Sequence, residues 1–527
     1  MNTSSSRTTF LAGLWACLAT ALAVRLVMLV VRLIIMPDGV FYLAWAEQVA
    51  SGNWSAAFNA TVFNLYPVLV AGTHALLSLA GSISYEAAAL SLNMVCGVVL
   101  VYPLYVLAYR YFGLVAACIT GVFTAFCPLL ALTSAEVLRE SPFLALVAWA
   151  LYLYITALVG RPPRQWGLLR LAVAGALLFV AGLVRIEGFG VLAVFGAGLL
   201  IVHARRPWAF FARLRAGLAL VALVVALAIP AAAYVHARTG QWHFARLDKI
   251  TASWSLGQMD TRASDPLAVT KDLVIGPDGK IDTDALYRVN FLSLAKRYRQ
   301  VLFTWECLDA AFKAFHGFGV LLLAGGLLYL IVRRPLRLDD PLIVVIVLSA
   351  LVFLPVYYRY AATKFYLSSR HVLLLVLPTA VIMGAWWRAV PERIRARRLL
   401  WLAVAAIGIV VIAAETYRPR GASKVVLRRC GELLADELPT NAVVMVTPGM
   451  RVMSFYARRR SADLHPGAAE GVRQFIAKPQ RYLVLDLSED WQRAYTNLLA
   501  DVLAPAATEL PQSRRYRLVL FTRAPTE

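Results

Sequence analysis

Charged side chains are sparse in this sequence, so those that interrupt its apolar stretches are the first candidates for chemistry. Asp38 opens the segment Pro37-Asp38-Gly39-Val40-Phe41-Tyr42 directly after a long apolar run. A carboxylate placed there sits where a membrane helix ends and water begins. It can cap a following helix or take a proton from a hydroxyl. Glu136 and Glu140, in Ser134-Ala135-Glu136-Val137-Leu138-Arg139-Glu140-Ser141-Pro142, are four residues apart and would share one face of a helical turn. Such a like-charge pair is unfavourable unless it binds Arg139, a partner cation or a metal. Arg185 and Glu187 break a further apolar run at Arg185-Ile186-Glu187-Gly188. Arg359, Lys364, Arg370 and His371 gather between Tyr357 and His371.

These residues must be positioned by apolar elements, because 60% of the 527 residues are hydrophobic and only 16% charged. An average soluble domain has roughly 45–50% and 25%, so an ordinary soluble enzyme is excluded. The net charge of +22 is not gathered on a polar face or arm, as nucleic-acid binding would require. Much of it lies in short runs between apolar stretches, the pattern that orients a membrane protein. A helix needs about 20 apolar residues to cross the hydrocarbon core. That length predicts eleven crossings, near 10–35, 88–108, 112–132, 142–159, 168–184, 188–202, 216–235, 316–332, 341–357, 371–388 and 399–415. Residues 168–202 would span about 52 Å as one helix, so the break at Arg185–Gly188 is read as the turn of a hairpin. The hairpin also keeps the flanking arginine clusters on one side.

Basic residues in short loops stay cytoplasmic. Parity then places residues 37–87, 133–141, 236–315, 358–370 and everything after 415 outside. The first external loop has no Lys or Arg, and its aromatic residues suggest amphipathic helices on the membrane surface. Arg25 and Arg32 interrupt the first helix and should face other helices or snorkel. Residues 416–527 change character, with 17 Lys/Arg, 11 Asp/Glu and short β-like runs at Val443–Thr447, Tyr482–Leu487 and Arg517–Phe521. Helices are expected over Ser423–Glu437 and Glu489–Val502. The expected fold is thus an all-α polytopic membrane domain, residues 1–415, followed by a small α/β extracytoplasmic domain, residues 416–527. Cys17, Cys96, Cys118 and Cys127 lie in apolar stretches, and no spacing motif supports a bond between Cys307 and Cys430.

All four charged sites map to one face of the membrane. Charges at such a boundary are costly and mark substrate paths. Carboxylates beside Arg and Lys suit a substrate with an acidic lipid phosphate and a hydroxyl to be deprotonated, with Lys364, Arg370 or Arg185 holding the phosphate. Asp282-Thr283-Asp284 matches the Asp-x-Asp of metal-dependent nucleotide-sugar transferases, but a three-residue motif without context is weak. There is no Walker loop, His-Glu-x-x-His, Gly-x-Ser-x-Gly or paired Cys-x-x-Cys.

A first helix carrying Arg25, then Pro-Asp-Gly-x-x-Tyr and a long first external loop, resembles the GT-C superfamily of lipid-linked glycosyltransferases. The likeness is to the branch containing protein O-mannosyltransferases and the aminoarabinose transferase of lipid A. It covers about the first 200 residues well and the rest loosely. The resemblance implies that Asp38 is the catalytic base and that Glu140, before Ser141-Pro142, is the second acidic position. Gly182-Leu183-Val184-Arg185-Ile186-Glu187-Gly188 is similar to a Gly-Leu-x-x-Arg-x-Glu-Gly pattern in some members, and Arg370-His371 followed by Pro378 resembles an Arg-aromatic…Pro element. Tyr42, Glu136, Arg185, Glu187, Lys249, Lys364, Arg370 and His371 are candidate substrate contacts. The departure from the family pattern is Gly39, where a second acid is common, so a paired-acid metal site is unsupported and no cofactor is required.

The resemblance implies an inverting transfer of a sugar from a polyprenyl-phosphate donor to a lipid, glycan or protein acceptor on the outer face, with a bacterial inner membrane as the expected location. The loop 236–315 is then a cap or lid that brings Lys249 to the acceptor. A transporter or flippase of lipid-linked sugars shares the composition, and so does a non-catalytic membrane scaffold. Transporters, however, tend to place charged sites near the bilayer midplane between internal repeats.

Overall fold

The computed structural model describes most of residues 3–202, 299–392 and 425–523. Apart from a few positions, residues 203–298 and 393–424 lie outside the described residues, as do shorter stretches such as 32–34, 55–63, 334–339 and 365–366. The first part is helical: α1 (Thr3–Val31), α2 (Pro37–Ala50), α3 (Leu65–Ser78), α4 (Tyr85–Val99), α5 (Val101–Phe112), α6 (Leu114–Phe126), α7 (Pro128–Ser134), α8 (Glu140–Val159), α9 (Arg164–Val184), α10 (Glu187–Ile201), α11 (Arg299–Arg333), α12 (Pro341–Lys364) and α13 (Ser369–Ala389). Among the described residues seven spans are long and apolar enough to cross a membrane, or eight if α6 and α7 form one span bent by 54° at their junction. The expected crossings at 216–235 and 399–415 fall almost wholly outside the described residues; of the other nine, seven coincide with long apolar helices, 112–132 with the bent α6–α7 pair, and 188–202 with α10, which at 15 residues is shorter than a span.

Large apolar side chains remain exposed on the helices, including Trp15, Leu26 and Val30 on α1 and Leu321, Ile331 and Val332 on α11. On a helix hydrophobic enough to cross a bilayer, such faces are solvated by lipid tails. Arg25 has the opposite environment. It is fully buried and donates from Nη1 to the carbonyls of Ala21 at 3.1 Å and Ala125 at 3.3 Å. Ala125 lies in the last turn of α6, where carbonyls lose their helical partners. A cation there offsets the negative end of the helix dipole, so Arg25 faces other helices, as its position in an apolar helix demands.

Two glycines set close approaches. Gly188 opens α10, and a Cβ there would meet the backbone of Ala181 and Gly182 of α9 at under 3 Å. The α9–α10 hairpin closes only because that atom is missing. Gly39 lies in the first turn of α2, where a Cβ would stand 2.9 Å from the Val137 carbonyl and 2.8 Å from Ile35 Cγ2. The start of α2 is therefore pressed against the segment that leads into α8.

The C-terminal part runs α14 (Val425–Glu437), β1 (Val443–Val446), α15 (Arg451–Tyr456), β2 (Arg460–Asp463), α16 (Ala469–Ile476), β3 (Arg481–Asp486), β4 (Leu503–Pro505) and β5 (Leu518–Arg523). The sheet order is β2-β1-β3-β5-β4, with β1 parallel to β2 and β3, and β5 antiparallel to β3 and β4. Alternate residues of each strand face opposite sides. Val444, Val446, Val484 and Leu520 pack on Leu427, Cys430 and Leu434 of α14. Leu483, Leu485 and Phe521 pack with Val472 and Ile476 of α16. Strands β2 and β4 are absent from the sequence expectation because Arg-Ser-Ala-Asp and Leu-Ala-Pro carry no alternating apolar signal. The expected helix Glu489–Val502 falls largely outside the described residues. Cys307 and Cys430 are not joined by a disulfide, and the buried Cys430 thiol donates to the Pro511 carbonyl at 3.4 Å. Helix α15 packs on α2, where Val40 touches the core of this sheet domain and Tyr456 touches the helical core. The sheet domain thus rests on the helix that carries Asp38.

Overfilling a packed contact costs typically about 1–3 kcal/mol. Gly188→Ala is expected to lower stability by that order and Gly39→Ala by a similar amount, both measurable as a downward shift in thermal unfolding of the detergent-purified protein against wild type.

Candidate functional site

Helix ends bring the site together. Arg185 occupies the break between α9 and α10, Glu140 is the first residue of α8, and Glu187 is the first of α10. Arg185 donates from Nη1 to Glu140 Oε1 at 2.7 Å, from Nη2 to Glu187 Oε1 at 2.6 Å and from Nε to Glu187 Oε2 at 3.3 Å. Its guanidinium also lies over the Phe143 ring at 5.7 Å. Burial alone would lower the pKa of this guanidinium, but the two carboxylates outweigh it and hold the group above its usual range. Breaking the apolar run therefore delivers a buried cation whose donors face two acids, rather than an exposed one.

Asp38 and Arg370 form the outer part of the site. Pro37 and Asp38 begin α2, and Ser368 caps α13 by accepting from the Arg370 backbone N–H at 3.4 Å. Arg370 donates from Nη1 to Asp38 Oδ2 at 3.4 Å, and the same nitrogen lies 4.0 Å from Glu140 Oε1. Side-chain exposure falls from 55% at Asp38 and 33% at Arg370 to 9% at Glu140 and 6% at Arg185. The charges therefore run from a solvent-reached acid inward to a sealed ion cluster. Glu140, Arg185, Glu187, Arg370 and His371 line one pocket, with Phe143, Leu144, Leu373 and Leu374 as its apolar wall.

Gly39 explains part of this geometry. The segment before α8 passes so close to α2 that a side chain at position 39 has no space. Gly39 is thus the residue whose missing side chain lets α2 carry Asp38 up to the α8 and α13 ends.

Tyr42 lies one turn beyond Asp38 and packs edge-on against Tyr66 at 5.2 Å. Burial pushes its hydroxyl above the usual range, and the charges of Arg139, Glu140, Asp38 and Arg185 all act on it. Glu136 departs from expectation. It shares no helical turn with Glu140, because α7 ends at Ser134 and α8 begins at Glu140. The Leu138 N–H closes a tight turn onto the Glu136 carbonyl at 2.9 Å. The buried Asn93 amide donates to the Glu136 and Leu138 carbonyls at 2.5 and 2.8 Å, which draws both away from helical pairing. Glu136 is buried and does not line the pocket. Lys249 lies outside the described residues; Lys364 is the last residue of α12, and its side chain also falls outside them. Asp282-Thr283-Asp284 is likewise outside.

The residues missed by sequence reasoning are the apolar wall and Tyr357. Phe143 and Leu144 follow Glu140 by three and four positions, and Leu373 and Leu374 follow Arg370 by the same steps. That spacing puts each pair on the helix face of its charged residue, so the signal was present for the wall. Tyr357 is buried on α12 and feels the charges of Glu187 and Arg185; it lies 170 positions from the nearer of them, and no local pattern marks it.

Comparison with known proteins bears on the whole arrangement. Residues 65–234 match the family described as dolichyl-phosphate-mannose-protein mannosyltransferase. Curated protein sequences give no match. Among solved structures, ArnT from Cupriavidus metallidurans bound to undecaprenyl phosphate is similar with a TM-score of 0.62 and 13% identity, over 96% of this chain and 97% of that one. The apo oligosaccharyltransferase of Archaeoglobus fulgidus gives 0.52 and 13%, over 91% of this chain and 70% of that one. Its complex with zinc and sulfate gives 0.53 and 14%, over 90% and 69%. At such identities the likeness concerns the fold. This chain is an integral membrane protein with the GT-C fold, and it resembles the branch of that superfamily that holds the protein mannosyltransferases and ArnT.

Proposed function

We propose that the chain is an inverting glycosyltransferase that moves a sugar, hexose or pentose, from a polyprenyl-phosphate donor to a hydroxyl of a lipid, glycan or protein acceptor. The carrying observation is the pairing of a half-exposed carboxylate, Asp38, with a partly exposed guanidinium, Arg370, 3.4 Å apart, beside an apolar wall formed by α8 and α13. A base and an anion-holding group are thereby adjacent where a lipid carrier can reach both. That ArnT, a protein of this fold, is bound to undecaprenyl phosphate supports a lipid-phosphate donor. The charges lie at helix ends rather than at helix centres, against the midplane placement typical of transporters.

In this reading Asp38 removes the acceptor hydroxyl's proton as its oxygen attacks the anomeric carbon. The bond from that carbon to the phosphate oxygen breaks, the configuration inverts, and the polyprenyl phosphate leaves with both electrons of the broken bond. Arg370 stabilises the charge gathering on the phosphate. Arg185, a phosphate candidate from sequence, is committed to Glu140 and Glu187; its role here is to position Glu140. The site faces the outer side of the membrane by the basic-residue parity, and a bacterial inner membrane is the proposed location.

General-base assistance typically contributes about 10²–10⁴-fold. Asp38→Asn is expected to lower transfer by that factor, measured in proteoliposomes with a panel of purified polyprenyl-phosphate sugars, while undecaprenyl phosphate binding stays within about twofold of wild type. Undiminished transfer by Asp38→Asn would sink the assignment, and lipid movement between leaflets without transfer would favour a transporter. Removing one partner of a buried ion cluster costs about 3–5 kcal/mol. Arg185→Met is therefore expected to destabilise the protein far more than Arg370→Met, whose partner Asp38 is half-exposed; parallel thermal unfolding of the two variants checks this.

A further inference from the structure

Asn93, fully buried on α4, directs its side chain at one short segment. Its Nδ2 donates to the Glu136 carbonyl at 2.5 Å and the Leu138 carbonyl at 2.8 Å, with the Tyr66 hydroxyl at 3.0 Å as a third neighbour. Carbonyls only accept, so these two fix which way the amide points. That orientation leaves Asn93 Oδ1 sealed, with no hydrogen-bond partner among the described residues, although an unmade buried acceptor is costly. The main chain of the same residue reaches the other side of Glu140, because its carbonyl accepts from the Ser141 hydroxyl at 2.8 Å. The Ser141 hydroxyl also meets that of Ser134 at 3.3 Å, which closes the two ends of the segment on one another. Val137 lies between the two clamped carbonyls, and its own carbonyl is the one that leaves no space for a side chain at Gly39.

Resting on the glycosyltransferase reading above, we propose that Asn93 is a positioning residue for the transfer step: by clamping residues 136–138 it sets where α2 stops against them, and hence how Asp38 stands relative to Arg370. The tie to Ser141 adds the start of α8, so one residue of α4 indexes both Asp38 and Glu140. A second route to α2 runs through Tyr66, whose ring packs on Tyr42 at 5.2 Å. Without the amide the Glu136 and Leu138 carbonyls lose their shared donor. A buried carbonyl left unmade is costly, so the segment shifts to find another donor and α2 shifts with it. Arg370 is carried separately, by α13, so the lipid phosphate keeps its cation while the base loses its register. The signature of this role is a fall in kcat with unchanged binding of lipid phosphate.

The test is Asn93→Ala in the full-length protein, which removes the amide and keeps the Ser141 bond to the main chain. Binding of undecaprenyl phosphate is measured first. Transfer is then followed in proteoliposomes at saturating donor and acceptor, with a polyprenyl-phosphate sugar that the wild type accepts and with rates normalised to the number of lipid-binding sites. The value of kcat is expected to fall by about 10–100-fold, the scale of a misplacement of about 1 Å, while undecaprenyl phosphate binding stays within about twofold of wild type. Normalisation removes any loss of folded protein, so a wild-type kcat marks a merely structural role and overturns the proposal, whatever the unfolding temperature does. Equal losses in kcat and in lipid binding overturn it as well, because they mark a general collapse of the site. If Asn93→Ala does not fold, Ser141→Ala decides: it removes one neutral hydrogen bond and is expected to lower kcat by about 3–10-fold with lipid binding unchanged, and an undiminished kcat overturns the proposal. A wild type that binds undecaprenyl phosphate yet transfers no sugar from any donor overturns the glycosyltransferase reading itself, and the positioning role falls with it.

Discussion

The guanidinium of Arg185, sealed between Glu140 and Glu187, is the interaction on which the rest of the site depends. A charge at the end of a membrane helix is expensive to remove from water, and burying it requires opposite charge in good geometry. Arg185 meets that requirement with three hydrogen bonds to two carboxylates. Because those carboxylates begin α8 and α10, one ion cluster fixes the start of α8 relative to the α9–α10 turn. Replacing Arg185 would leave both acids without the buried cation they share, whereas loss of either acid leaves Arg185 paired with the other.

Its consequence is a division of labour among groups that look alike in sequence. Arg185 and Arg370 lie with Asp38, Glu140 and Glu187 at one end of the bundle. Arg185 already meets two carboxylates, so of these two cations Arg370 is the more exposed. Asp38 is the most exposed of the three acids, at 55% against 20% for Glu187 and 9% for Glu140. In the proposed reading the chemistry falls at the outer, wet edge, beside Asp38 and Arg370. The sheet domain resting on α2 through α15 adds a second support for the helix that carries Asp38.

Much of this was legible from residues alone. Asp38, Glu140, Arg185, Glu187, Arg370 and His371 were each singled out as charged or polar interruptions of apolar runs, and all lie in one cluster. The hairpin at Arg185–Gly188 followed from length, because 35 residues are too many for one crossing. Glu136 was misjudged because four-residue spacing was read as a helical turn. The Asn93 amide, 43 residues away, instead holds the segment in a turn. Tyr357 was missed because a tyrosine in an apolar helix has no sequence mark distinguishing a ring packed among apolar neighbours from one that lies near buried charges.

The sequence by itself determined that the first part of the chain is built of apolar helices and where charges interrupt them, since hydropathy and the cost of charge in lipid act locally along the chain. Only the tertiary structure decided who pairs with whom. Arg370 meets Asp38 across 332 positions and Arg185 meets Glu140 across 45. Such choices depend on how helices pack around one another and on backbone approaches such as that of Gly39 to Val137. Contacts of that kind are set by shape across the bundle, and no periodicity within a single helix records them.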